Sequence, residues 1–246
     1  MASLVNALIV GGGPAGVAAA IILQRQGMAV TLVDQRQPGE FQVGEGLIPA
    51  GRRILTELGA PADWLEAKHL PSMGNASAWG SAELATMDFI RSVDGHGWHL
   101  DRAAFDADLR ALAAQAGVQV LIGTRMHAFE RDGAQWRVNL EQGDRRWQVQ
   151  ADWLLDATGR PHVVARRLGQ KRMHLDAQLG FYQLFAPQVA GDADALSLIE
   201  AVPEGWWYSA RLPSGQRIVV FFTDPGTPAA TQAQDRMGYL QLLMET

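Results

Sequence analysis

Ala7-Leu8-Ile9-Val10-Gly11-Gly12-Gly13-Pro14-Ala15-Gly16 decides the fold of this 246-residue chain. The apolar run reads as a buried parallel strand, the glycines as a tight turn, and Val17 to Gln26 as a helix. Together they make a βα unit of the kind that holds a dinucleotide. In the pattern Gly11-x-Gly13-x-x-Gly16 the first glycine makes the turn, the second lets backbone approach a pyrophosphate, and the third lets helix pack on strand. Unpaired N–H groups at the positive helix end then face the phosphates. A second strand, Ala29 to Val33, ends at Asp34, 23 positions after Gly11. An acid there hydrogen-bonds an adenosine ribose and favours a free 2′-hydroxyl over a 2′-phosphate.

Composition narrows the classes. With 48% hydrophobic and 19% charged residues, the chain can bury one large or two modest cores. A formal net charge of −5 with no basic block argues against nucleic acid as a partner. The absence of cysteine excludes disulfides, thiolate metal sites and cysteine redox chemistry. The first apolar stretch is broken by glycine after a few residues, so it reads as neither signal peptide nor membrane span, and the expected location is cytoplasmic with no membrane partner.

Working outward, a loop follows Asp34, with Gln35-Arg36-Gln37-Pro38-Gly39 and then Gly44-Glu45-Gly46-Leu47-Ile48-Pro49. A helical pattern from Arg52 to Leu58 closes at Gly59, and a strand is expected around Ala76 to Trp79. A helix runs from Asp101-Arg102 to Ala116 with Phe105, Leu109 and Leu112 on one face, and the strand Val118 to Ile122 follows. Gln135 to Glu141 and Arg146 to Leu155 form a hairpin through Gly143-Asp144, leading into Asp156-Ala157-Thr158-Gly159-Arg160. Beyond this turn the runs Leu179–Phe185, Ala195–Ala201, Trp206–Leu212 and Arg217–Phe222 read as antiparallel strands, and Ala229 to Met244 returns to helical spacing.

In this order the motifs resemble the FAD-dependent oxidoreductases and monooxygenases of the aromatic-hydroxylase fold, most closely the branch with tryptophan halogenases and geranylgeranyl reductases. The resemblance implies an α/β fold: a Rossmann-like FAD-binding domain with a mainly parallel sheet over residues 1–175, carrying an inserted segment at about 38–100, and a partial antiparallel β-rich substrate domain over 176–246. It implies that Gly11, Gly13, Pro14, Ala15 and Gly16 bind the FAD pyrophosphate and Asp34 the ribose, with Gln35 and Arg36 alongside. Arg102 would reach the cofactor from its helix, and a backbone group near Arg125 or Met126 would touch adenine. The turn of Asp156 and Gly159 would pack under the phosphate loop, and Glu45 to Pro49 would lie beside the flavin. The lesser alternative for Arg102 is a helix-end surface charge, whereas for Asp156 a turn or cap former is the better reading from the residues alone.

Departures bear on the chemistry. Family halogenases carry a lysine on the strand that lines up with Gly74 to Trp79, which has none; Lys68 is the nearby one. Their Trp-x-Trp-x-Ile-Pro motif is replaced by Trp206-Trp207-Tyr208-Ser209-Ala210-Arg211-Leu212-Pro213. The family's later Gly-Asp segment, which touches the cofactor, does not occur before Thr246, so the chain is expected to be truncated at its C-terminus. The expected function is therefore an FAD-dependent oxidoreductase, a monooxygenase on an aromatic or other apolar substrate, with NAD(P)H or reduced flavin as electron donor and a reductase as partner. The alternative is a catalytically incomplete flavoprotein that binds or matures another polypeptide, taking a peptide rather than a small molecule. No catalytic residue is assigned. Trp206, Trp207 and Tyr208 are candidate pocket aromatics or sheet packing. His96 and His99 invite acid–base or metal roles, but no third ligand is evident, so no metal site is expected. Ser209 lacks a nucleophile-elbow context.

Overall fold

The computed structural model describes residues 3–37, 39–186 and 194–246. Pro38, the expected opening of the inserted segment, lies outside the described residues, as does the stretch 187–193 of the expected substrate domain. In chain order the elements are β1 (Ser3–Val10), α1 (Pro14–Arg25), β2 (Val30–Asp34), β3 (Gly46–Leu47), α2 (Ala50–Glu57), β4 (Leu70–Ser72), β5 (Gly74–Ala78), β6 (Ala85–Asp88), β7 (Gly97–His99) and α3 (Arg102–Gln115). There follow β8 (Gln119–Ile122), β9 (Arg125–Asp132), β10 (Gln135–Gln142), β11 (Arg145–Asp156), α4 (Val163–Arg167), β12 (Leu179–Phe185), β13 (Leu196–Val202), β14 (Gly205–Arg211), β15 (Arg217–Thr223), α5 (Pro228–Gln232) and α6 (Arg236–Met244).

The chain forms two compact units. Unit 1 comprises residues 1–43, 57–60 and 102–172; unit 2 comprises 44–56, 61–101 and 173–246. Most of the expected inserted segment thus belongs with the C-terminal strands rather than with the first domain. The reason is pairing: β5 runs parallel to β13, with Ser77 opposite Ile199. That bond network, formed across more than a hundred residues, has no local sequence signature.

Unit 1 is a six-stranded sheet in the order β8-β2-β1-β11-β10-β9. β1, β2, β8 and β11 are parallel, and β10 runs antiparallel to both β11 and β9. Every residue of β2 is buried, as a parallel strand covered on both faces requires. α1 begins at Pro14, whose fixed φ and missing N–H suit a first helical position. It then buries Gly16, Val17, Ala20 and Ile21. A Cβ at Gly16 would stand 1.9 Å from the Gly11 carbonyl oxygen, so helix and turn approach as closely as only glycine allows. β9 is an addition to the expected elements. It joins β10 through Gly133, at φ +60, and Ala134. The Asp132-Gly133 pair carried that hairpin signal, but β9 buries Met126 alone and so lacks an alternating pattern.

Unit 2 holds a second six-stranded sheet, β12-β15-β14-β13-β5-β6, and a small sheet, β3-β7-β4. The short β3, β4, β6 and β7 replace what reads in sequence as loop and helix, because strands of two to four residues gain their stability from tertiary pairing. Trp207, Val219 and Phe221 pack with Ala229, Ala233 and Tyr239 on one face of the large sheet. The expected C-terminal helix is broken into α5 and α6 at Asp235, which caps α6 by accepting from Met237 N and Gly238 N at 2.9 Å.

Candidate functional site

In unit 1 the parallel strands β1, β2 and β11 end at Val10, Asp34 and Asp156, and the chain turns there around a cleft of about 370 Å³. Its walls include Gly11, Gly13, Pro14, Ala15, Asp34, Gln35, Arg36, Met126 and Gly159. The carboxyl end of a parallel sheet is where open α/β folds place ligands, and the volume lies within the roughly 300–1,000 Å³ of small-molecule sites. Ala157 and Thr158 of the expected Asp156 turn line it too, and so do Thr124, Pro161 and Val163, which the sequence did not single out. Thr124 follows β8, Pro161 lies just beyond the Asp156–Arg160 motif, and Val163 opens α4, positions that no motif marks.

The turn is fixed from both sides. Gly11 adopts φ +114, and a Cβ on it would lie 2.1 Å from the Ala157 carbonyl oxygen. The Ala157 amide donates to the Val10 carbonyl at 2.8 Å, so the Asp156 turn packs against the glycine turn. Asp34 does more than face the cleft. Its Oδ2 accepts from Gly12 N at 2.9 Å and from Arg36 Nη2 at 2.8 Å, and its Oδ1 accepts from Arg36 N at 2.9 Å. Burial works to raise the Asp34 pKa, but the side-chain and backbone hydrogen bonds from Arg36 and its charge, with the Gly12 amide, outweigh it and hold the carboxyl below its usual range.

Of the remaining candidates in this unit, Gly16 packs α1 on the turn, as above, and does not line the cleft. Arg102 pairs with the fully buried Asp106 at 3.2 Å and donates to the Val43 carbonyl. Asp106 also lies 3.7 Å from Arg36 Nη1, so Arg102 joins the cleft charges through a shared carboxylate. Arg110, one turn further along α3, is buried and donates to the Gly12 carbonyl at 3.4 Å. Sequence reading took Phe105, Leu109 and Leu112 as the inward stripe and missed the charged pair beside it. Asp156 is a turn and cap former: Oδ1 accepts from Thr158 N and Oγ1, and Oδ2 from Val164 N and Ala165 N. Desolvation opposes, but these bonds from Thr158, Ala165 and Val164 lower its pKa.

Two observations test whether the cleft suits an anionic nucleotide. The N-cap of α1 is Gly13, with no side-chain cap and no acidic residue in the first turn, so the helix end remains available to an anion. Thr124 Oγ1 is buried on the cleft wall without a hydrogen-bond partner among the described residues, an arrangement that costs free energy until a polar group meets it. The donor set thus fits a phosphate and a sugar or base. Gly11, Gly13, Ala15, Asp34 and Thr124 could hold the group.

Glu45 belongs to unit 2, where it is buried and its Oε2 accepts from Gly44 N at 3.1 Å. The candidate aromatics divide between the faces of the large sheet: Trp207 is in the core, whereas Trp206 borders a recess of about 310 Å³ with Ser77, Trp79 and Ile199. The two histidines also part. His96 Nδ1 donates to the Gly97 carbonyl, while buried His99 meets Ser197. Among the described residues no three His, Asp or Glu side chains gather as a metal cluster, and no helix is long and apolar enough to cross a membrane.

Comparison with known proteins agrees with this geometry. The chain is 29% identical over 98% of its length to a Marinomonas mediterranea protein named as an FAD-dependent oxidoreductase, LodB, of which it spans 66%. Its fold matches that of CmlS, a flavin-dependent halogenase, with a TM-score of 0.83 at 20% identity over 100% of this chain and 46% of that one. It also matches p-nitrophenol 4-monooxygenase PnpA from Pseudomonas putida DLL-E4, with a TM-score of 0.79 at 15% identity over 98% of this chain and 64% of that one. The chain therefore spans less than two thirds of the length of each of these proteins. The sequence model described as an FAD binding domain matches residues 4–224, and the chain belongs to that family.

Proposed function

We propose that the chain is an FAD-dependent oxidoreductase, in particular a flavin monooxygenase acting on an aromatic or other apolar substrate. The observation that carries this reading is the unit 1 cleft, with an uncapped helix end and an unpartnered buried hydroxyl on its walls. Bound FAD would supply the redox chemistry, and the protein would supply binding, orientation and electrostatics. In this reading the α1 amides meet the pyrophosphate, Asp34 the ribose, with Gln35 and Arg36 beside it, and the Met126 backbone the adenine. The apolar recess of Trp79, Ile199 and Trp206 supports a flat apolar substrate. NAD(P)H, or reduced flavin handed over by a reductase, is the proposed electron donor. Halogenation is disfavoured because β5 carries no lysine.

The experiment has two stages. The 246-residue chain is incubated with FAD, desalted and scanned for flavin bands; oxygen uptake is then followed with NAD(P)H, a flavin reductase and a panel of phenols and indoles. Retained flavin with substrate-dependent uptake is expected, and absence of both overturns the reading. A second reading, a flavoprotein that binds or matures another polypeptide, is favoured by the exposed Leu84, Met87, Ile90 and Val93 of unit 2. Retained flavin and a copurifying chain without small-molecule turnover would select it.

A further inference from the structure

The hairpin of β9 and β10 at the edge of the unit 1 sheet carries a second recess, of about 290 Å³, that shares no lining residue with the cleft at the glycine turn. Its origin is a slip in the ladder. β9 sets Ala128 opposite Asn139 and Met126 opposite Leu140, so His127 between them is bulged out of register. Arg167 Nη1 of α4 donates to the His127 carbonyl at 2.7 Å, which ties the end of α4 to the hairpin. Phe129 and Trp136 line the recess, packed against the buried core of Val138 and Val164. Their rings meet edge to face with centroids 5.8 Å apart. Leu168, half exposed, completes the apolar lining beside Arg167.

Two guanidiniums border these rings. Arg131, the ladder partner of Trp136, lies over its indole at 4.9 Å from the centroid, and Arg167 comes from α4. Among the described residues neither is paired with a carboxylate. The acids beside them are committed elsewhere: Glu130 and Asp132 both accept from Arg137. Alternation along the strands turns that trio to the opposite face of the sheet from Phe129, Arg131 and Trp136. A guanidinium stacked on an indole keeps its N–H edge outward, where it can hold a carboxylate by two points.

We propose that this recess is a binding site for a small aromatic carboxylate, whose ring rests among Phe129, Trp136 and Leu168 and whose carboxylate pairs with Arg131 and Arg167.

Size and charge select the ligand. The volume is just below the roughly 300–1,000 Å³ of drug-sized sites, which suits an acid of one or two rings rather than a dinucleotide. A neutral aromatic would leave both cations unpaired. The site belongs wholly to unit 1, lies apart from the cofactor cleft in its lining, and does not depend on the function proposed above.

The indole ¹H–¹⁵N signals of the full chain, which has eight tryptophans, report the site. The Trp136 signal is assigned by its loss in Trp136→Phe. The chain is then titrated with indole-3-acetate and, separately, with 3-methylindole, which has the same ring and no carboxylate. A saturable shift of Trp136 is expected with indole-3-acetate, at an affinity about tenfold or more above that of 3-methylindole, as a charge-assisted pair provides. Arg131→Gln and Arg167→Gln, both at exposed positions, should each weaken it by about tenfold. Arg137→Gln, on the opposite face, should leave it unchanged. A Trp136 signal that does not move, equal affinity for the neutral ring, an affinity unaltered in either arginine variant, or an equal loss in Arg137→Gln overturns the site. Tighter binding of adenosine monophosphate than of indole-3-acetate, read at the same signal, overturns the carboxylate as its ligand. FAD retention, scored on the same samples, judges the flavin reading separately: loss of flavin with the Trp136 shift intact contradicts that reading and leaves this site standing.

Discussion

Unit 1 and unit 2 both bury polar groups, but they satisfy them differently. In unit 1 the cleft is built on a glycine turn whose Gly16 and Gly11 are held against the carbonyl oxygens of Gly11 and Ala157, so the turn tolerates no extra side-chain atom there. In unit 2 buried polar side chains meet across elements, with His99 of β7 hydrogen-bonded to Ser197 of β13 at 3.0 Å. A backbone site is rigid and fails by steric intrusion. A side-chain network fails by loss of a single partner, and its protonation changes with pH.

The largest break in that contrast is Gly11→Ala. Its Cβ would meet the Ala157 carbonyl oxygen at 2.1 Å in a backbone region hostile to L side chains. The combined strain and clash are expected to cost about 2–4 kcal/mol, read as a lowered urea midpoint together with lost flavin retention. Next is Asp34→Asn, which removes the charge accepting from Gly12 and Arg36. Charge-assisted bonds of this kind are worth about 1.5–3 kcal/mol, and denaturant unfolding at neutral pH should register that loss. The sign with pH follows from the lowered Asp34 pKa: its stabilisation is full above the unfolded value near 3.8 and is lost as pH falls through the lower folded value, so wild type and variant should converge in strong acid.

A third test turns to unit 2. His99 has a folded pKa below the unfolded value of 6.5, so the unfolded chain binds the extra proton first, and stability declines as pH falls below about 6.5. His99→Gln should flatten that decline, and thermal melts from neutral to mildly acidic pH measure it; an unaltered slope contradicts the assignment. The smallest effect, and the sharpest, is expected at Thr124→Val. Removing a hydroxyl that has no partner leaves stability unchanged or slightly raised. FAD affinity should nevertheless weaken about tenfold, or about 1.4 kcal/mol, by titration of flavin fluorescence.

How far each unit can be read from sequence follows from the same difference. Gly11, Gly13 and Asp34 lie on one βα unit and its next strand, so spacing alone locates the cleft, and the structure brings them together there. Thr124 escaped notice because a single hydroxyl after Gly123 has no pattern until β9 folds beside β10. Asp106 and Arg110 escaped because charges beside an apolar stripe read as a solvated edge, whereas both are buried. The bond of His99 to Ser197 is invisible for a stronger reason. It joins β7 of the small sheet to β13 of the large one, 98 positions apart, and such meetings are set by tertiary packing. His99 was noticed beside His96 in sequence, yet β7 sends their rings to different partners.

The most direct test of the account is the absorption spectrum of the 246-residue chain and of its Gly11→Ala variant after each is loaded with FAD and desalted. Flavin bands retained by the wild type and lost by the variant are the predicted result. Bands absent from both, or equally strong in both, would contradict the claim that the cleft beside the glycine turn holds the cofactor.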